Sequence, residues 1–234
     1  MLTARIYEQN ANWKQAINYY KLAQKVTQSI QDSAETANIS LHLAEIFLIQ
    51  NDLVNALQQV SFALKQYSLL NHQTGIALTY VKQAEIYRQK KQYKSGERLL
   101  LDKALPFFRS SGYQAGRIGC FDVLGKIYLN QKRYSEAKWF FIQANTQSRL
   151  LNDTEGTITS LINLVKVKVA IGDYKSAAKD LKEAQSLASK RNNLFLLANI
   201  KEASAILQKA PVKKPVSKAA PINPKEQKVS NRKI

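Results

Sequence analysis

Leu124–Gln131 (LGKIYLNQ) and Lys132–Phe141 (KRYSEAKWFF) set a small residue, an aromatic, a polar turn, a second aromatic and a second small residue in fixed order. That order recurs along the chain. The turn phrase reads ANWKQAINYY, NDLVNALQQV, KQYKSGERLL, KRYSEAKWFF and GDYKSAAKDL, with Trp13, Leu53, Tyr93, Tyr134 and Tyr174 in equivalent places, 40, 40, 41 and 40 residues apart. The phrase before it puts Ala4, Ala44, Ala84, Gly125 and Val165 in register. Twelve residues after each stand Ala16, Ala56, Gly96, Ala137 and Ala177. Such a period marks a repeat architecture in which each unit buries its apolar face against its neighbours.

Apolar residues run at helical spacing through both halves of a unit, as in Val54, Leu57, Val60, Leu64 and Tyr67, and no stretch alternates with period two. Each unit therefore reads as two antiparallel helices. They join at Asn51-Asp52, Lys91-Gln92, Lys132-Arg133 or Gly172-Asp173, and units connect at Leu70-Asn71, Ser111-Gly112, Leu151-Asn152 and Arg191-Asn192. Gly or Asn in the left-handed conformation just past a helix end caps its last carbonyls. Small residues at matched heights let two backbones approach. Tyr7, Phe47, Tyr87 and Tyr128 on the first helices, with Tyr20, Val60, Leu100, Phe141 and Leu181 on the second, then pack around the contact.

This arrangement resembles the tetratricopeptide repeat. In the fourth unit Leu124, Gly125, Tyr128, Tyr134, Ala137, Phe141 and Ala144 match that pattern position for position. The resemblance covers about residues 1–208, and its long period is similar to the extended variant in kinesin light chains and many bacterial sensory regulators. Departures are Val165 and Lys168 in place of the small and aromatic residues of the fifth unit, Lys103 where Ala is expected, and Pro106, which should kink its helix. The expected fold is all-α, a right-handed α-solenoid of about five helix–turn–helix units at 1–31, 34–71, 74–112, 114–152 and 155–192, closed by a capping helix at 194–208. Hairpins distant in sequence are not expected to touch.

Composition narrows the function. One cysteine, Cys120, precludes an internal disulfide and reads as a small buried apolar residue; no run of apolar residues is long enough to span a membrane. A cytoplasmic location is expected. Met1 falls inside the first helix of an uncapped first unit, so an upstream start, with a signal peptide hidden in it, stays open. Residues 210–234 hold four of the five prolines, seven Lys or Arg and one Glu, and read as a disordered basic tail. Of the net charge of +18, residues 209–234 hold +7 and the helical array +11. Acidic surfaces, whether nucleic acid, anionic lipid or protein, are therefore conceivable weak contacts of the tail, although no motif for nucleic-acid recognition is present.

No enzyme is expected. His42 and His72 are the only histidines, no metal-ligand spacing occurs, and nucleophile and phosphate-loop motifs are missing. Neither cofactor nor metal nor small-molecule substrate is implied. His72 reads as a solvated loop residue. Gly116, Gly119 and Gly125 weaken the first helix of the fourth unit by about 1 kcal/mol each relative to Ala, and make it the expected most labile element.

The resemblance implies that the first helices line a concave groove holding a peptide or partner protein. Carried over by position, the groove presents Asn38, Leu41, His42, Glu45 and Leu48 from the second unit and Leu78, Lys82, Glu85 and Arg88 from the third. Asp122, Val123, Lys126 and Leu129 follow from the fourth, and Thr159, Ile162, Asn163 and Lys166 from the fifth. One column, Arg5, Glu45, Glu85, Lys126 and Lys166, makes the groove acidic over units two and three and basic over four and five, unless these charges pair between neighbours. A carboxylate clamp is disfavoured, since Leu41, Glu45, Lys82 and Leu78 occupy its positions. The leading expectation is a non-catalytic adaptor. The alternative is the sensory or regulatory arm of a bacterial signalling or transcription-regulation system.

Overall fold

A computed structural model describes residues 1–189 and 193–209. The Arg191-Asn192 turn and the tail at 210–234 lie outside the described residues. The helices are α1 (Leu2–Gln9), α2 (Trp13–Ser29), α3 (Ser33–Ile49), α4 (Leu53–Leu69), α5 (Gln73–Gln89), α6 (Tyr93–Arg98), α7 (Leu105–Ser110), α8 (Gln114–Asn130), α9 (Tyr134–Leu150), α10 (Thr154–Ala170), α11 (Tyr174–Ala188) and α12 (Leu194–Gln208). A π-helical turn at Leu99–Ala104 joins α6 to α7. No strand occurs among the described residues. Helices pack in succession, each pair on the next, as an α-solenoid.

Most of the described turns share one construction, the turn at Gly112 having only the first of its two bonds. After α3, Asn51 takes φ 58° and donates its N–H to the Leu48 carbonyl at 3.1 Å; Asp52 N–H reaches the Phe47 carbonyl at 2.8 Å. This is the paired Schellman bond. Asp52 then caps α4, accepting from Asn55 N–H at 3.1 Å. Asp32, Asp153 and Asp173 repeat the device. Asn51, Asn71, Asn152, Gly112 and Gly172 suit a positive φ, yet Ala11, Gln31, Lys91 and Lys132 adopt it too, held by the same bonds. His72 is more than a solvated loop residue: its Nδ1 accepts from Gly75 N–H at 2.9 Å, capping α5, and its ring stacks on Tyr67.

The 41-residue interval has a structural cause. The extra residue lies within the π turn, where Leu105 N–H bonds to the Leu100 carbonyl, five residues back. Downstream positions shift by one. The buried small residue at the place of Ala63 and Ala144 is Ala104, not Lys103, and Phe108 takes the place of Tyr67. Lys103 is exposed, with its ammonium over the Tyr80 ring. Pro106, the second residue of α7, does not end the helix, and α7 runs on to Ser110. In the last pair, Val165 is fully buried against Ala177, and Lys168 meets Asp180 at 2.5 Å where an aromatic is expected.

The row of hairpins also closes on itself, which the repeat pattern does not announce. Helix α12 docks on α10 and α11 through Leu196, Ile200 and Ala203, and it reaches α1 as well. Trp13 at the start of α2 meets Phe195 edge-on, with ring centroids 5.3 Å apart.

Two of the three α8 glycines are contacts and not weak points. A Cβ on Gly116 would stand 2.5 Å from the Phe108 ring, and one on Gly125 2.5 Å from the Phe141 ring. Gly119 alone gives up helix propensity without a ring in return, since its Cβ would meet Val81 at an ordinary 3.5 Å. Gly119→Ala should stabilise the protein by about 0.5–1 kcal/mol and Gly125→Ala should destabilise it, as read from urea denaturation midpoints. Equal effects of one sign would contradict this packing.

Candidate functional site

The first helices of the pairs, α3, α5, α8 and α10, face a central space that α12 closes from the far side. Its larger part is a cavity of about 390 Å³. Glu45 and Leu48 reach it from α3, Lys82 and Glu85 from α5, Asp122, Val123 and Lys126 from α8, and Thr159, Ile162, Asn163 and Lys166 from α10. A second cavity of about 240 Å³ lies towards the array's start, where Arg5, Glu8, Trp13 and His42 face Glu155, Asn193 and Phe195. Glu45, Ile49, Thr159 and Phe195 line both.

Five groove candidates are not in the lining of either cavity. Leu41 is buried in a cluster with Ala37, Ala63 and Tyr67, and Leu78 packs at the edge of that same core. Leu129 packs on the neighbouring core. Asn38 donates to Glu35 on its own helix at 3.1 Å, and Arg88 is engaged by Glu85. The lining also holds residues that the positional carry-over omitted. Gly119 and Asn199 continue the series Asn38, Leu78, Gly119, Thr159 and Asn199 at the chain's own period, so a signal for them existed. For Phe195 none did, because its position in the cavity depends on closure.

The charged column does not persist as separate acidic and basic halves. Glu45 forms an ion pair with Lys82 of the next pair. Arg88 grips Glu85 with two bonds, of 2.6 and 2.9 Å. Lys126 meets Asp122 at 2.7 Å, Asp122 accepts from Asn163 at 2.7 Å, and Lys166 meets Glu202 at 3.3 Å. The larger cavity thus carries three carboxylates, Glu45, Glu85 and Asp122, and three ammonium groups, Lys82, Lys126 and Lys166.

Proton affinities follow from this pairing. Lys82 holds the Glu45 carboxyl below the ordinary range despite its burial. Burial opposes ionisation of Glu85, but Lys126 and Arg88 outweigh it and lower the carboxyl. Burial likewise works against the Lys126 charge, and Asp122 and Glu85 more than restore it. His42 stacks on Tyr20, with centroids 5.2 Å apart, while burial, Lys82 and Arg5 push its imidazole down to about 4, so it is neutral at pH 7. Glu8, which accepts the Tyr20 hydroxyl at 2.7 Å, is raised by burial. Among the described residues no group of three or more His, Cys, Asp or Glu is placed to hold a metal ion, and no helix is long and apolar enough to cross a membrane.

No protein-family model matches the sequence, and no curated protein matches it. Solved structures do share the fold. A Rap protein complexed with Competence and Sporulation Factor superposes with a TM-score of 0.75 at 16% identity, over 89% of this chain and 60% of that one. The apo form of RapI gives 0.58 at 15% identity, over 88% and 57%. BtubC (BKLC) from P. vanneervenii gives 0.54 at 18% identity, over 94% and 84%. The chain spans about three fifths of the length of the two Rap proteins. At these identities the likeness establishes a tetratricopeptide-type helical repeat fold.

A neutral, half-buried His42 makes folding pH-dependent in a defined direction. The unfolded chain takes up the imidazole proton near pH 6.5 and the folded one only near pH 4, so stability should fall as pH drops through that window. His42→Gln should flatten the decline between pH 6.5 and 4.5, above the range in which Glu45 and Glu85 lose charge. Parallel pH profiles of the two proteins in urea denaturation would refute the assignment.

Proposed function

We propose that the chain is a non-catalytic binding module of the tetratricopeptide repeat family, in its extended-period variant, that takes a short peptide or an extended segment of a partner protein in the central cavity. The observation that carries this reading is the convergence of paired charges from four successive helix pairs, with Leu48, Val123 and Ile162 between them, on one cavity of about 390 Å³. Such a lining offers opposite charges to side chains or termini and apolar contact between them. Closure by α12 favours a narrow, extended occupant over the broad face of a folded protein. Glu45 and Glu85 sit in ion pairs that hold them ionised, which suits recognition more than proton transfer.

A second reading makes the module the sensory or regulatory arm of a signalling system. The likeness to a longer Rap protein, solved in complex with Competence and Sporulation Factor, favours it. The two readings share the binding step and differ in what that step controls.

Selection of free peptides from a random library against the full chain, followed by calorimetric titration of the selected sequence, tests the site. Gly119 lines the cavity and has room for a side chain. Gly119→Leu should therefore leave the circular dichroism unchanged and weaken binding at least tenfold (about 1.4 kcal/mol). Undiminished affinity in that variant would place the binding surface elsewhere.

A further inference from the structure

We propose that the contact between the first helix pair and the capping helix α12 is a reversible latch that opens and closes the central cavity. The proposal rests on that cavity being the binding site.

The two ends share no core. Ala4, Ala16 and Tyr20 of α1 and α2 belong to an apolar cluster with α3 and α4, whereas Leu196, Ile200 and Ala203 of α12 belong to another with α10 and α11. Among the described residues no apolar cluster contains both ends. What joins them is the approach of α1 to α12 and, beside it, the edge-on pair Trp13–Phe195. Space adjoins the pair: Phe195 lines both cavities, and Trp13 lines the smaller.

A contact of this kind can part without opening an apolar core. Every neighbouring pair of hairpins is welded by buried apolar residues, so the array cannot come apart there without exposing a core. Parting the two ends breaks the Trp13–Phe195 pair and the α1–α12 contact, leaves each end's own core intact and widens the mouths of the two cavities. Each hairpin keeps its own core during the motion, and small rotations summed along the array suffice for it. With the ends in contact, Glu45, Ile49 and Thr159 line both cavities and lie between the two ends. An occupant touching both ends binds the closed state better and shifts the equilibrium towards it.

The protein carries the means of testing this. Gly119 faces the cavity with room for a small side chain, so Gly119→Cys introduces a cavity thiol. The native Cys120 is fully buried and its thiol is pushed up to about 12, so the parent protein supplies a low background. The measurement is the rate at which fluorescein maleimide, a bulky reagent, modifies the introduced thiol in the full-length folded chain. Truncating one ring of an aromatic pair shifts its equilibrium by about a factor of ten. Phe195→Ala should thus speed modification about tenfold, and Trp13→Leu should do the same from the other side of the contact. In a Trp139→Phe background, where Trp13 is the sole tryptophan, Phe195→Ala should also red-shift its emission. Equal modification rates with and without both substitutions, in proteins of unchanged circular dichroism, would overturn the latch. Because the labelling uses no peptide, a protein that binds no peptide but labels as described would retain the latch and lose only the binding proposal.

Discussion

The close approach of two backbones at a pair of small residues is the constraint on which this molecule depends. Ala4 and Ala16, Ala44 and Ala56, Ala84 and Gly96, Gly125 and Ala137, and Val165 and Ala177 are buried in every helix pair. A Cβ on Gly96 would already lie 3.1 Å from the Ala84 carbonyl oxygen, which measures how tight the third contact is. With the small residue of each first helix turned into the contact, the residue after it must point to the concave side. That is why Glu45, Glu85, Lys126 and Lys166 arrive in one cavity although some forty residues separate each from the next. The chemistry of the site is thus a consequence of where the chain can afford no side chain.

Much of this was legible in the residues, because a repeat records the same packing problem several times. The helix pairs, their turns and most of the cavity lining follow from the period. The irregularities were legible only in part. An interval of 41 amid intervals of 40 signals an inserted residue, but not whether a turn or a helix absorbs it. Lys103 at an Ala position looked like a departure, yet the π turn moves Ala104 into that place. Leu41 and Leu78 looked like groove residues because position along a first helix was the sole guide. Packing partners separate them from the cavity side: both lie against the core of Ala37, Ala63 and Tyr67.

Closure of the array was not legible at all. The period states which hairpins are neighbours, while the small rotation between neighbours decides whether the ends meet, and that rotation is the sum of many side-chain contacts. Trp13 was visible as the turn aromatic of the first repeat and Phe195 as one apolar residue of a capping helix, 182 positions later. Nothing local couples them. The ion pair of Glu45 with Lys82, which crosses between hairpins, is the pairing between neighbours that the sequence left open, and it offsets the polarity of the charged column.

Cancellation alters what the cavity can select. An unpaired column would attract any occupant of opposite sign, with strength set by salt. A lattice in which Glu45 holds Lys82, Glu85 holds Arg88 and Asp122 holds Lys126 offers little net field, so an occupant gains only by exchanging one of these partners for a group of its own. Each exchange must restore the geometry of the bond it replaces, because a charge left without a partner in a shielded place is costly. Such an arrangement discriminates by the spacing of charges along the occupant and not by their number. The apolar residues between the pairs, Leu48, Val123 and Ile162, are set at intervals dictated by the stacking of the hairpins. On the proposed binding role, selectivity in this site would be inherited from the repeat distance itself: a segment whose charged groups do not match the step from one hairpin to the next would break more native pairs than it replaced.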